Sequence, residues 1–444
     1  MAGRLLAGVG SSVITPPLGL PMAGFAARQG GSTGIHDDIM AKALVLDNGY
    51  CRAAIITLDI IGIERSMTEA IRHAVARQTG LDADAIMVAT SHNHSGPELV
   101  EPFGEDRQCS PYEEWIPVFQ ELVVSAVRQA WDTRGEAQYG VGVGEVQGIG
   151  VNRRGKDVVD NNVGILRVDR DGRTIALVVN YTCHAVVLGP DNRLISGDYP
   201  GYTQRYLEEH FGDNAVALFM NGAAGDINTG HSADTSAIGG AIPGRTFGRA
   251  EELGKRLAVS VINILPRIEM QEYVSLGSVI CPWKPKYRED LSSEAAIARR
   301  VDELRKKVLS LEGIDEKEAA SSKLELVYTQ IMLKNSLERS RSTDGTKPTE
   351  FQAIRVGHAA LVSLPGEVFV ELGLAIKARS TFPVTFVVGY ANDSIGYIPT
   401  RQALSEGGYE SISCKFVPGT GEELVETALG CLEKLHGRGT NQTL

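Results

Sequence analysis

The sequence predicts an α/β protein: a mixed sheet with helices packed around it and a helical hairpin inserted late in the chain. Three observations carry this. Short apolar runs alternate with helix-periodic segments. Two pairs of these runs are joined by Asp/Asn-Gly turns, the mark of β-hairpins. From about 291 to 340 the chain turns charged and rich in Ala, Leu and Lys, with helical periodicity broken near Gly313-Ile314-Asp315.

Taken in order, residues 4–15 read as a strand. A rigid loop follows, with Thr15-Pro16-Pro17 and close-packing glycines up to Gly24-Phe25. Ala41–Leu46 and Arg52–Leu58 form a hairpin turned at Asp47-Asn48-Gly49, and a helix over 65–79 is stopped by Gly80. The apolar run Ala85–Thr90 enters Ser91-His92-Asn93-His94-Ser95-Gly96-Pro97, and a helix follows at about 111–133. Residues 138–148 are a strand with alternating glycines. They do not spell GxGxxG and no helix follows, which argues against a dinucleotide loop. Val163–Val168 and Thr174–Asn180 form the second hairpin, turned at Asp171-Gly172 and running into Cys183-His184. A helix reaches about 210, and strand Ala215–Met220 opens into Asn221-Gly222-Ala223-Ala224-Gly225-Asp226-Ile227-Asn228. After a helix ending near 265, strands are expected at 271–281, 351–356, 359–364 and 384–388. Helices are expected up to about 379 and over 421–436. No internal repeat is visible.

With 444 residues the chain is long enough for one large core, and 1–444 is read as a single domain carrying the 291–340 hairpin. That hairpin reads as a cover over one side of the body, an oligomer contact (a homo-oligomer) or plain solvated surface. A net charge of -11 argues against a nucleic-acid surface, which wants a basic stripe. The six cysteines are scattered without CxxC pairs, so neither a disulfide framework nor a thiolate zinc site is expected. There is no apolar leader at the N-terminus and no stretch of transmembrane length, so the expected location is cytoplasmic and the expected partner a small-molecule substrate.

The chemistry gathers at strand ends. His92 and His94 follow one apolar strand, His184 another, Asp226 and Asn228 a third; Glu367 and Tyr397 follow two more. Histidines two apart on extended backbone share a face, and neutral imidazole is a common zinc ligand. If these strands share one sheet, two or three histidines and a carboxylate converge at its carboxyl edge, the donor set of a catalytic zinc site. Each residue alone also has a structural reading: His184 as a polar strand terminus, Glu367 as a helix-start partner, Tyr397 as packing. His36, His73, His210, His231, His358 and His436 are read as structural or exposed. No G-x-S-x-G elbow is present, and Cys183 beside His184 would point to the opposite face of a strand, which disfavours serine and cysteine nucleophiles.

These segments, with Pro21-Met22-Ala23-Gly24-Phe25, Gly34-Ile35-His36, Asn152-Arg153 and Leu364-Pro365-Gly366-Glu367, stand in the order found in neutral/alkaline (non-lysosomal) ceramidases, which the chain resembles over about residues 8–415. The resemblance implies a zinc amidase domain with Zn2+ held by His92, His184, Glu367 and a tyrosine. Tyr397 keeps the family's spacing to Tyr409, although Ser394 stands where another family tyrosine falls. It further implies roles near the scissile bond for His94, Arg153 and Tyr409: a proton shuttle, a clamp on a polar or anionic group, and an oxyanion donor. Two departures stand out. Asn228 occupies the position of a family serine and would orient substrate by hydrogen bonds. The chain also ends after one helix, where ceramidases continue into a β-sandwich. The expected activity is therefore zinc-dependent hydrolysis of an amide, ester or lactone bond by metal-activated water, on a small polar or cyclic substrate rather than ceramide. A metal-dependent isomerase or lyase and a non-catalytic relative are the alternatives.

Overall fold

Alternate residues of each strand face two different cores. In Met40–Asp47, Leu44 and Leu46 point into one cluster while Ala43 and Val45 point into another. Such two-sided burial explains why the strands read as near-continuous apolar runs. The computed structural model describes residues 1–99, 113–212, 215–239, 242–289, 294–311 and 313–440, with side chains up to Gly437. Within these residues the chain forms three main sheets rather than the single sheet expected from the strand ends.

The first sheet runs Ile86–Thr90, Arg52–Leu58, Met40–Asp47, Leu6–Val13 and Gly135–Glu136 in spatial order. The second runs Val216–Asn221, Arg173–Tyr181, Asn162–Arg170 and Gln138–Glu145. The third runs Val384–Val388, Ala359–Ser363, Thr349–Val356, Tyr273–Trp283 and Ala2–Arg4. Each contains the same unit. Three antiparallel strands are followed by a crossover helix, a fourth strand parallel to the third, and a longer helix. The crossover helices are Arg65–Thr79, Asp198–Phe211 and Val370–Arg379; the longer ones are Trp115–Asp132, Phe247–Ile264 and Thr420–Thr440. The chain thus holds a threefold structural repeat that the sequence does not display. What repeats is connectivity and apolar alternation, while the loops differ in length and the third copy carries two helices, Glu294–Leu311 and Glu316–Arg341, between its first and second strands. Asp315 caps the second of these, accepting from the Glu318 amide at 3.0 Å. The residues expected to begin this pair (291–293), the first two expected for the helix after His94 (111–112), and Cys109 lie outside the described residues.

The inner faces of all three sheets share one core, with Leu46 and Met87, Leu166 and Met220, and Ile354 and Phe386 among its members. Each outer face packs under its own helices in a separate cluster. Burying side chains of this size contributes about 1.5–3 kcal/mol each. The glycines of Gln138–Glu145 let a helix end come close: a Cβ on Gly144 would lie 2.2 Å from Ile264, and one on Gly142 would lie 2.7 Å from Ile268.

Buried asparagines join the sheets at the carboxyl ends of the parallel pairs. Asn392 Oδ1 accepts from the Val88 amide at 2.9 Å, tying the third sheet to the first. Asn180 Nδ2 donates to the Val387 carbonyl at 3.0 Å, tying the second to the third. Asn221 Nδ2 donates to the Ser91 carbonyl at 3.2 Å, tying the second to the first. Three strand-end loop clusters are thereby brought to one place. Among the described residues no helix is long and apolar enough to cross a membrane.

Candidate metal centre

His92 stands two residues past the strand Ile86–Thr90, in a left-handed backbone conformation with φ 59°. Its Nδ1–H donates to the Ile61 carbonyl at 2.7 Å, which leaves Nε2 as a lone pair. His184 lies three residues past Arg173–Tyr181. Its Nδ1 meets the carbonyls of Ala224 at 2.6 Å and Ile227 at 3.0 Å, which again frees Nε2 as an acceptor. His94 Nε2 is 3.2 Å from His92 Nε2. The His92, His94 and His184 ligand atoms all lie within 4.8 Å of one another, and all three residues are buried.

Glu367 completes the cluster. Its Oε2 lies 3.2 Å from His184 Nε2 and 3.5 Å from His92 Nε2. It is not a helix cap. It belongs to a short strand, Glu367–Val368, paired in parallel with Tyr397–Ile398, and this register sets Glu367 opposite Tyr397. The capping role at the helix Val370–Arg379 falls to Asp226, whose Oδ1 accepts from the Val370 amide at 2.8 Å. Asp226 Oδ2 accepts from Asn152 at 2.8 Å, so this strand-end carboxylate serves the scaffold.

Whether these residues fit a metal is decided by their donors. Both Nδ1 protons of His92 and His184 are directed at backbone carbonyls, so their Nε2 atoms are acceptors. The Glu367 carboxylate between them is an acceptor too. Buried acceptors facing one another at 3.2 and 3.5 Å repel unless a cation sits among them. The protonation states agree. Burial, with Arg153 and His92 close by, pulls the His184 imidazole down to about 4. Neutral imidazole and ionised carboxylate are the forms a metal binds.

Around this centre lie the other residues singled out in the sequence. Tyr397 Oη accepts from Arg153 Nη2 at 3.0 Å and hydrogen-bonds the Glu367 carboxylate. Of the two residues considered beside the metal, it is Tyr397 rather than Ser394 that makes these contacts. Tyr409 is half-buried at the start of a short helix, its ring 5.8 Å from that of Tyr397 and edge-on to it. Arg153 was expected to clamp substrate, yet much of its guanidinium is committed within the fold. Nε pairs with Glu410 at 2.6 Å and Nη2 also reaches the Gly225 carbonyl at 2.8 Å. Asn228 likewise spends its amide on a turn. Oδ1 accepts from Gly230 N at 2.9 Å and His231 N at 3.0 Å, and Nδ2 donates to His231 O at 2.7 Å. His94 packs against Gly24, where a Cβ would lie 2.1 Å from its Nδ1. Cys183 is buried, and burial pushes its thiol pKa up, so it is no nucleophile.

Sequence reasoning missed Tyr390. Its backbone is also left-handed, with φ 54°, and its ring stacks on His92 at 3.9 Å and 20°. The only signal was its place after an apolar strand.

The model of the neutral/alkaline non-lysosomal ceramidase family, N-terminal part, matches residues 5–237. The chain belongs to this family. It is 23% identical to the neutral ceramidase of Pseudomonas aeruginosa over 459 aligned positions, spanning 90% of this chain and 67% of that protein. Its fold is similar to that of a ceramidase complexed with C2, with a TM-score of 0.75 at 18% identity over 98% of this chain and 76% of the other. The crystal structure of the Pseudomonas aeruginosa neutral ceramidase matches with a TM-score of 0.74 at 19% identity, over 97% and 75% of the two chains. In this chain the cluster of His92, His184 and Glu367 stands where three repeated units converge.

Proposed function

We propose that this ceramidase-family chain is a zinc-dependent hydrolase of amide bonds, acting on a small polar substrate rather than on ceramide. The observation that carries the metal is the convergence of His92 Nε2, His184 Nε2 and Glu367 Oε2, with both histidine Nδ1 atoms turned to backbone carbonyls. The nitrogen and oxygen donors favour zinc. The amide bond follows from the family, and residues 1–444 are read as one hydrolase unit with the helical pair near 291–340 inserted in its third copy.

His92, His184, Glu367 and Tyr397 would hold the zinc, which supplies a Lewis acid and lowers the pKa of water when bound. His94 moves the proton: its ring adjoins His92, and Phe25 and Gly24 close it off from behind. Tyr409 donates to the developing oxyanion, a contribution of about 3–4 kcal/mol for one such donor. Arg153 positions Tyr397 and is itself fixed by Glu410. Asn228 shapes the turn beside His94 and Tyr409, where it lines a notch of about 50 Å3.

The space in front of the metal ligands supports a polar substrate. A cavity of about 770 Å3 opens from His92, Glu367 and Tyr397, and most of the residues that line it are of charged or polar type. The test is a screen of N-acyl amines, N-acyl amino acids, cyclic amides, lactones and ceramide with zinc-loaded and chelated protein. Zinc-dependent turnover of a polar amide is expected. Turnover of ceramide alone would overturn the substrate reading.

A further inference from the structure

The metal ligands and the histidine beside them face different spaces. His92 and Glu367 border the cavity of about 770 Å3, while His94 and Tyr409 border the notch of about 50 Å3. Tyr397, Gly24 and Ile331 line both, so the two spaces adjoin at the cluster. A substrate whose scissile bond lies at that border has one end in each, and the two ends are given very different room.

The inserted helices make the notch small. Among the described residues, Val327 and Ile331 form one wall, about one turn apart on the helix Glu316–Arg341. Ala237 of the short helix Ala233–Ala237 forms another. These three pack in a cluster of their own, with Tyr409 against it. Two hydrogen bonds hold the long helix there. Tyr328 Oη donates to Asp234 Oδ1 at 2.5 Å, and Asn335 Nδ2 donates to the Ser413 carbonyl at 3.2 Å. Val327 is 9% and Ile331 3% exposed, so both side chains are packed in place. One water-sized group needs about 10–15 Å3 of such space, so the notch takes on the order of three to five non-hydrogen atoms. Arg153 also borders it, with its charge met by Glu410 at 2.6 Å.

The proton decides which end of the substrate goes where. In amide hydrolysis the oxygen of water bonds to the carbonyl carbon, the C–N bond breaks, and the nitrogen leaves with a proton. His94, the residue assigned to move that proton, borders the notch. We infer that the leaving amine sits in the notch and the acyl part in the large cavity, so that the chain selects amides of ammonia or a short alkylamine, with Val327 and Ile331 setting the limit. The inference rests on the hydrolase reading of the same site.

The experiment uses two series of amides on the zinc-loaded protein. In the first, one hydroxyhexanoyl group is carried on ammonia, methylamine or hexylamine. In the second, the amine is always ammonia and the acyl part lengthens from acetyl to hydroxyhexanoyl. The N-methylamide is expected to exceed the N-hexylamide about 10–100-fold in kcat/KM, the discrimination an apolar pocket gives on size. The second series should not fall with acyl length. Ile331→Ala should raise the hexyl-to-methyl ratio by at least about tenfold. Ile331→Val, the milder change to the packing, should move it the same way by less. Each ratio is taken on one sample, so unfolded protein cancels. An N-hexylamide cleaved as well as the N-methylamide overturns the inference, as does a ratio unmoved in both variants. A steep fall with acyl length in the second series overturns it too, because the acyl group would then occupy the notch. If no amide is cleaved, the hydrolase reading fails, and calorimetry of the N-methyl- and N-hexylamides with metal-free protein decides the notch separately. Binding of the N-methylamide at least about tenfold tighter, with the difference lost in Ile331→Ala, supports the size limit. Equal binding of the two, or none, overturns it.

Discussion

His92 and Tyr390 occupy the same place in two copies of one structural unit. Each is the second residue past a fourth strand, each has positive φ (59° and 54°), and their rings stack at 3.9 Å. Left-handed backbone is unfavourable for both residue types, so the surrounding loops must hold it there. The stack fixes the His92 ring from one face while the Ile61 carbonyl fixes it through Nδ1 at 2.7 Å. If His92 holds the proposed zinc, Tyr390 is a positioning residue for that ligand.

Tyr390→Ala should weaken zinc binding by about 10–100-fold, the usual effect of losing an outer partner of a metal ligand. Tyr390→Phe should stay near the unmodified protein, because the Tyr390 hydroxyl makes only a 3.5 Å contact with His184 Nδ1. Competition against a chromogenic chelator measures both. Equal zinc affinity in the alanine and phenylalanine variants would leave the stack without a role.

Arg153 and Glu410 form a buried ion pair at 2.6 Å. Removing either partner strands the other, at a cost of about 3–5 kcal/mol. The Arg153→Met, Glu410→Met double variant should be less destabilised than the sum of the singles by about 1–3 kcal/mol. Arg154, 3.0 Å from Glu410, keeps the coupling from being complete. Urea denaturation of the four proteins gives the cycle, and strict additivity would show that the pair is not coupled.

Asn228→Ala removes three hydrogen bonds of the turn at 228–231. The loss should cost about 1–3 kcal/mol of stability. Zinc stoichiometry should stay unchanged, since the Asn228 amide is spent on that turn and does not join the ligand cluster. Metal loss in this variant, measured by elemental analysis, would contradict the assignment.

Stability should fall with rising pH at Asp198. Burial pushes this carboxyl up from 3.8 to about 6. A folded-state pKa above the unfolded one means that folding favours the protonated form. Its stabilising contribution is then full below the unfolded value and is lost as pH rises through about 6. Asparagine tolerates the local φ of 52° and does not titrate. Asp198→Asn should therefore gain about 2–3 kcal/mol relative to the unmodified protein between pH 4 and pH 7, both measured metal-free. A constant difference across that range would remove Asp198 as the titrating group.

The histidine cluster was legible in the sequence because its parts carry local marks. His92, His94 and His184 each follow an apolar run, and Glu367 and Tyr397 sit in turns after two others. What the sequence hid is how these ends meet. A single carboxyl edge was the natural expectation, whereas three sheets are joined there by Asn180, Asn221 and Asn392, whose partners lie far away in the chain. Tyr390 was silent for the same reason, since its stack on His92 exists only where the first and third sheets touch.

The central claim is that His92, His184 and Glu367 hold a catalytic zinc ion. Elemental analysis run beside an amidase assay on unmodified, His92→Ala and His184→Ala proteins tests it directly. One zinc per chain is expected in the active protein, with metal and activity lost together in both variants. Full activity in a metal-free His92→Ala protein would contradict the account.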